Sequence, residues 1–345
     1  MTGVHAKFKT NSRLKGLVSA LLCAGLVACN LAACNKQQFG LQAASQEFAQ
    51  RVKYSKAVDV LWVIDTSGSM SSHQTLLAQQ MELFVTGLNA SGLDYQMAVT
   101  TMDMSSTGEK GRFVAQTNTP VILTPTTPNL LGVLAGRIQL GDNGSPVERG
   151  LQAMMAALSS PLATTGANSG FLRSDSLLVI NFLSNEDDTA SPVTDSNRPV
   201  ADYTSFLDSV RPPLAYGDRS WVANFMGVIQ GDPSCTTMGQ YSSYGLKYMA
   251  LADASGGAKE SICDGDLRSG LVNIKARILE VVTEYPLNRE PSVSSIRVVV
   301  NGRAVPGDAQ NGWTYYAAAN SIRFHGTAVP APESTIVVTF DPAGL

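Results

Sequence analysis

Apolar residues along the chain fall into two rhythms. In "AVDVLWVID" (residues 57–65) and "DSLLVINFLS" (175–184) they run almost unbroken and favour β-branched types, the pattern of a strand buried on both faces of a sheet. "YQMAVTTM" (95–102) and "WVANFMGVI" (221–229) continue it. Between these runs the period lengthens. Leu77, Met81, Phe84 and Leu88 recur at helical spacing, and "NASG" ends that segment with Asn and Gly. Further helices are predicted for "SPVERGLQAMMAAL" (145–158), around "DYTSFLDSV" (202–210), for "SYGLKYMALADASGG" (243–257) and for "DLRSGLVNIKARILEVV" (266–282). In the last, Leu267, Leu271, Ile274 and Ile278 line one face. The stretch after "YQMAVTTM" reads as loop-rich, with short strand candidates at "RFVAQ" and "PVILT".

Strands alternating with helices predict an α/β fold, a doubly wound and mostly parallel sheet with helices on both faces. The rhythm changes near Tyr285. "YPLNREPSV" brings two prolines, and only short strand-like runs follow, "SIRVVV", "WTYY", "SIRFHG" and "STIVVTF", separated by Asn-Gly, Asn and Pro turns. Residues 57–284 are assigned to the α/β domain and 285–345 to a small all-β, sandwich-like module. Trp313, Tyr315 and Tyr316 read either as core of that module or as a sticky patch, and core is the commoner fate of aromatics in a small β domain.

Composition narrows the partners. With 345 residues, 44% of them hydrophobic, the chain has material for one large domain and a smaller one. Lys+Arg 25 against Asp+Glu 28 gives a net charge of -3, which offers no basic face to nucleic acid. Residues 1–34 read as an export signal, with Lys7, Lys9, Arg13 and Lys15 ahead of "GLVSALLCAGLVAC", an apolar run too short to span a bilayer. "LVAC" and "LAAC" resemble the lipobox of bacterial lipoproteins. That resemblance implies lipidation at Cys34 or Cys29, a membrane anchor at the mature N-terminus, and a polar tether over residues 35–56. The plainer reading is an ordinary cleaved signal with incidental cysteines. An asparagine follows each cysteine in place of the aspartate that retains lipoproteins at the inner membrane, which points to the outer membrane of a cell envelope. Once the signal is removed Cys235 and Cys263 remain, and an oxidising compartment predicts a disulfide between them. Zinc is a poor alternative, because no CxxC exists and His73 and His325 lack ligand spacing.

The chemistry concentrates where the first apolar strand ends. In "DTSGSM" (65–70), Asp65, Ser67 and Ser69 alternate along the chain. They are hard oxygen donors, suited to Mg²⁺ and its near-octahedral shell. Gly68 is expected to let the loop turn so that residues two apart face one ion. In a doubly wound sheet this strand-to-helix loop lies at the carboxyl edge, where ligands bind.

This motif resembles the metal-ion-dependent adhesion site of von Willebrand factor A domains, D-x-S-x-S after an apolar strand. The order of strands and helices from 58 to 282 is similar to that family's pattern as well. The resemblance implies two further ligand loops. Ser145, six residues before Leu151, stands where the family has Thr, with the hydroxyl retained. Asn185 stands where the family has Asp, so the implied site has one negative charge fewer. Glu186, Asp187 and Asp188 follow at once as candidate auxiliary acids. The implied ion is Mg²⁺, with Mn²⁺ or Ca²⁺ as substitutes.

Each feature has a plainer role beside it. Ser69 or Ser71 serves as N-cap of the following helix, "SPVE" is a capping box with Pro at the first helical position, and "NEDD" is a solvated loop end. For function, the resemblance implies a protein-binding module and not an enzyme: a partner's Asp or Glu completes the ion's coordination, in adhesion or complex assembly. Neither a G-x-S-x-G elbow nor a Walker A sequence is present to support catalysis. The alternative is a metal-free scaffold of the same fold, which Asn185 keeps open.

Overall fold

The computed structural model describes residues 57–174, 176–189, 198–212, 219–236, 243–330 and 334–343, together with the backbone of 44–49. The export signal, Cys29 and Cys34 lie outside the described residues, as does most of the expected tether.

The α/β domain is built on strands β2 (Ala57–Ile64), β3 (Asp94–Thr101), β4 (Leu177–Ser184), β5 (Trp221–Gly227) and β6 (Lys259–Ser261), all parallel, in the order β3-β2-β4-β5-β6. Strand β2 shows why its apolar run is unbroken, since all eight residues are buried. On one side Val58, Val60, Trp62 and Ile64 share a core with Leu77, Met81, Phe84 and Leu88 of α1 (Ser71–Ala90). The same layer takes Leu134 of α2 (Leu130–Ile138) and Ile274 and Ile278 of α7 (Arg268–Thr283). On the other side Leu61 and Val63 pack with Leu151 and Met154 of α3 (Gly150–Ala157), Leu207 of α4 (Val200–Val210) and Leu251 of α6 (Leu246–Ser255). Each such side chain contributes about 1.5–3 kcal/mol on burial, so the two layers hold the sheet between its helices. This is the doubly wound arrangement that the sequence pattern predicts.

Three elements depart from expectation. Helix α2 falls inside the stretch read as loop, because Gly132 and Gly136 weaken its helical signal and it starts from Asn129 at φ 49°. "RFVAQ" and "PVILT" form no strand, although Val114 N donates to Val99 O and Leu123 exchanges two hydrogen bonds with Met97 on the edge of β3. Strand β6, only three residues of mixed polarity, carries no period to detect.

Beyond α7 the chain passes directly into β7 (Glu284–Pro286) and the C-terminal module. Strands β8 (Arg297–Val300), β9 (Arg303–Val305), β10 (Trp313–Tyr316), β11 (Ser321–Phe324) and β12 (Thr335–Phe340) follow. One sheet is β10-β11-β7, and the other contains β12-β8-β9. Their shared core includes Tyr285, Val298, Ile322, Phe324, Ile336, Val338 and Phe340, with Trp313 and Tyr315 packed against it. Tyr316 is exposed and lies under the Arg323 guanidinium. Asn301 and Gly302 sit at φ 50° and 78° between β8 and β9, as a two-residue hairpin turn with both centres left-handed requires. Arg323 ties the module to α7 by pairing with Glu280, and within the module it pairs with Glu284 of β7.

Part of the segment expected as tether is structured. Residues Ala44–Ala49 form β1, antiparallel to β12 over six positions from Ala44↔Phe340 to Ala49↔Thr335. The strand was hidden in sequence because "ASQEFA" has no β-branched residue. The module therefore borrows an edge strand from ahead of the α/β domain. In the α/β domain, Cys235 in the short helix α5 (Pro233–Thr236) is disulfide-bonded to Cys263, 28 residues on. Among the described residues no helix is long and apolar enough to cross a membrane.

Candidate metal centre

The sheet order reverses at β2: β3 lies on one side of it, while β4 and β5 extend from the other. The crevice at the carboxyl ends of β2 and β4 is thus a topological switch point. Asp65 follows β2 directly and Asn185 follows β4. The two strand ends are joined by Asp65 N donating to Leu183 O at 3.0 Å.

Asp65 is 1% exposed. Its Oδ1 accepts from Ser67 N at 2.7 Å and its Oδ2 from Ser184 Oγ at 2.6 Å. Burial raises its pKa, and the Glu186 charge adds to the rise, while the bonds from Ser184 and Ser67 oppose it. The left-handed residue of the loop is Ser69, at φ 74°, and not Gly68. The turn expected of Gly68 thus falls on Ser69, and it is at Gly144 that a Cβ would clash, 2.1 Å from Thr66 Oγ1. Gly144 N donates to Thr66 O at 2.8 Å, which docks the second loop on the first.

Ser69 is exposed and accepts from Asn185 Nδ2 at 2.7 Å, so the third loop closes on the first. Neither Ser69 nor Ser71 caps α1: the N-cap position is Met70, with no side-chain hydrogen bond. Ser145 N donates to Asp103 Oδ2 at 3.1 Å, and its hydroxyl accepts from Val147 N. The capping box expected of "SPVE" does not form, because α3 begins only at Gly150 and Glu148 turns inward, 2% exposed.

The acidic loop divides its work. Asp187 Oδ1 accepts from Lys247 N at the start of α6. Asp188 Oδ2 accepts from Leu151 N at the start of α3 at 2.8 Å and from Tyr248 Oη at 3.3 Å. Burial pushes the Asp188 carboxyl up to about 6. Both carboxylates are therefore engaged in seating helices, whereas the Glu186 charge is felt by Asp65 and by Glu148. Among the described residues no Lys or Arg forms an ion pair with Asp65, Glu148 or Glu186.

No protein-family model matches the chain, and no curated protein matches its sequence. Similar solved structures include proximal thread matrix protein 1 from the mussel byssus, at 12% identity and TM-score 0.38 over 68% of this chain and 48% of that one. Another is the pilus adhesin SpaC from Lactobacillus rhamnosus GG in its open conformation, at 10% identity and TM-score 0.40 over 87% and 42%. A third is the PilB minor pilin from Streptococcus sanguinis, at 14% identity and TM-score 0.36 over 64% and 61%. The chain spans less than two thirds of the length of each. At this level of overlap the likenesses carry no weight of their own, and the reading of the site rests on its atoms.

Those atoms pose a fit test for a hard cation. Among the described residues, Ser67 Oγ and Asn185 Oδ1 are buried and find no hydrogen-bond partner, and neither does Glu148 Oε1. A buried oxygen left unpaired costs about 1–3 kcal/mol, and several of them about one buried carboxyl group call for a positive ligand. Among the described residues no group of three or more His, Cys, Asp or Glu is assembled for a metal. The donors are instead hydroxyls, an amide oxygen and carboxylates, a set that suits Mg²⁺ or Ca²⁺ and disfavours soft metals. The residues present fit such an ion. Gln74, Asp103, Ser184 and Glu148 are the contributors that sequence reading missed. Only Glu148, beside the recognised Ser145, carried a signal that could have been questioned.

Proposed function

We propose that the α/β domain holds a divalent cation at the carboxyl ends of β2 and β4 and uses it to dock an acidic group of a protein partner. The observation that carries this reading is the pair of buried, unpartnered oxygens, Ser67 Oγ and Asn185 Oδ1, on loops closed about the buried Asp65. Asp65, Ser67, Ser69 and Asn185 would hold the ion, and Ser145 contributes from the loop that Gly144 docks on Thr66. The ion would supply a positive charge able to bind a carboxylate. The buried donors lie beneath, while Gly68 and Ser69 face solvent, so an incoming Asp or Glu meets a polar rim and gains a charge-assisted bond.

The proposed role is binding rather than catalysis. The N-terminal lipid anchor and an envelope location complete the proposal, with the domain acting in adhesion or assembly at a membrane surface. Calorimetric titration of the chain with Mg²⁺, Mn²⁺ and Ca²⁺, beside Asp65→Ala, tests the ion. Saturable heat that the variant abolishes supports it, and no heat with any cation refutes it.

One observation favours a second reading. The Asn185 to Ser69 hydrogen bond closes the loops without an ion, as a metal-free scaffold requires. In that case partner binding survives EDTA unchanged.

A further inference from the structure

Asn185 leaves the centre with one carboxylate among its recognised residues, Asp65, and an amide where a second acid would stand. A second acid is nevertheless present. Glu148 is 2% exposed, and its side chain lies beside the Ser67 hydroxyl and within the field of the Asp65 charge. One of its oxygens, Oε2, is approached by Thr189 Oγ1 at 3.4 Å, and Thr189 N holds the Glu148 carbonyl at 2.8 Å. The other, Oε1, is buried with no partner among the described residues.

A glutamate so placed gains little from its neighbours beyond the Thr189 hydroxyl and the nearby Ser67. Among the described residues it makes no ion pair and caps no helix, and when ionised it sets a like charge toward Asp65 inside the protein. Its ionised form is costly without a cation beside it, and burial accordingly pushes its pKa up to about 7.

Resting on the cation-binding reading above, we propose that Glu148 is the second carboxylate of the centre, supplying from the loop before α3 the charge that Asn185 lacks after β4. With Asp65 it brings two negative charges to a divalent ion. Its burial, against the exposure of Gly68 and Ser69, puts it on the inner side of the centre, away from the face a partner's acid would use. The relocation also accounts for "SPVE" failing as a capping box: the glutamate that would reach back to Ser145 N is turned inward, and Ser145 N pairs with Asp103 instead.

The test is Mn²⁺ titration of the full chain, followed by calorimetry and by the loss of free Mn²⁺ resonance, for the wild type, Asp65→Ala, Glu148→Gln, and Glu148→Gln combined with Asn185→Asp. Thermal melts without metal serve as the folding control. Wild type is expected to bind one ion and Glu148→Gln to bind it roughly 10- to 100-fold more weakly. Restoring an acid at 185 in that background is expected to recover much of the loss. A crystal grown with Mn²⁺ should place the anomalous peak at coordination distance from Glu148 Oε1, about 2.1 Å for a small hard ion. Undiminished binding by Glu148→Gln, with Asp65→Ala abolishing it, overturns the role of Glu148 and leaves the cation reading standing. Absence of Mn²⁺ binding by the wild type overturns both.

Discussion

Asn185 donates Nδ2 to Ser69 Oγ at 2.7 Å and so ties the loop after β4 to the loop after β2. The bond fixes which way the amide points: its nitrogen is used, and its oxygen is the atom left over, buried and unpartnered. An aspartate cannot donate this bond, but it adds the charge that a cation site needs.

Asn185→Asp is therefore expected to trade stability for affinity. Without metal it can only accept from the Ser69 hydroxyl and sets a charge beside Asp65, lowering stability by about 1–3 kcal/mol. With metal it raises affinity about tenfold, as ligand charge does in oxygen-donor sites. Asn185→Ala should lower both. Urea titrations and Mn²⁺ titrations of the two variants read the effects separately, and unchanged affinity in Asn185→Asp would remove residue 185 from the centre.

Gln74 holds the first loop from below. Fully buried in α1, it donates Nε2 to Asp65 O at 2.7 Å and to Gly141 O at 2.8 Å, while its Oε1 accepts from Leu140 N and Gly141 N. Replacing it by leucine keeps the volume and strands these backbone groups, a loss of about 3 kcal/mol. Cation affinity should fall too, because Asp65 loses its backbone anchor. A denaturation midpoint within error of wild type would show that water replaces the amide.

How much of this was legible follows from the kind of signal each part leaves. The run from Val58 to Ile64 announced a strand buried on both sides, and Leu77, Met81, Phe84 and Leu88 announced the helix that covers it; all are buried in one core. The motif residues Asp65, Ser67 and Ser69 and the candidate Asn185 were legible from local spacing and resemblance, and hydrogen bonds link these segments. Glu148 was misread because S-x-x-E is a strong local pattern. Tertiary bonds from Ser145 N to the Asp103 carboxylate and from Thr189 N to the Glu148 carbonyl outweigh it. Gln74 gave no signal at all, since a glutamine on a helix declares its partners only once distant loops arrive.

Glu148 and the neighbouring Asp188 make metal-free stability depend on pH with a defined sign. Glu148 is pushed up to about 7, first by burial and then by the Asp65 charge, and Asp188 is pushed up to about 6 by burial. A carboxyl with a raised pKa binds more protons folded than unfolded. Its contribution is fullest below the unfolded pKa and declines as pH rises through the folded value. In EDTA, the melting temperature difference between wild type and the Glu148→Gln, Asp188→Asn double variant should thus widen against the wild type from about pH 5 to about pH 8. Saturating Mg²⁺ favours the ionised forms and should narrow it. A difference flat across that range would mean that neither acid titrates from a buried state.

The pairing of β1 with β12 makes the C-terminal module dependent on residues that precede the α/β domain. All six residues of β1 are matched in register to β12, whose Ile336, Val338 and Phe340 are core while Val337 and Thr339 are half-buried. Deleting residues 44–49 would turn β12 into an open edge, with unpaired backbone groups beside an apolar face, the arrangement that invites pairing with a second chain. The truncated protein should keep its parallel sheet, because β2 and its neighbours take nothing from β1. Its module should unfold at lower urea than the rest, or the protein should dimerise as concentration rises. Light scattering and hydrogen exchange on β12 distinguish these fates. A monomer with β12 amides as protected as in the full chain would show that the edge is closed by something other than β1.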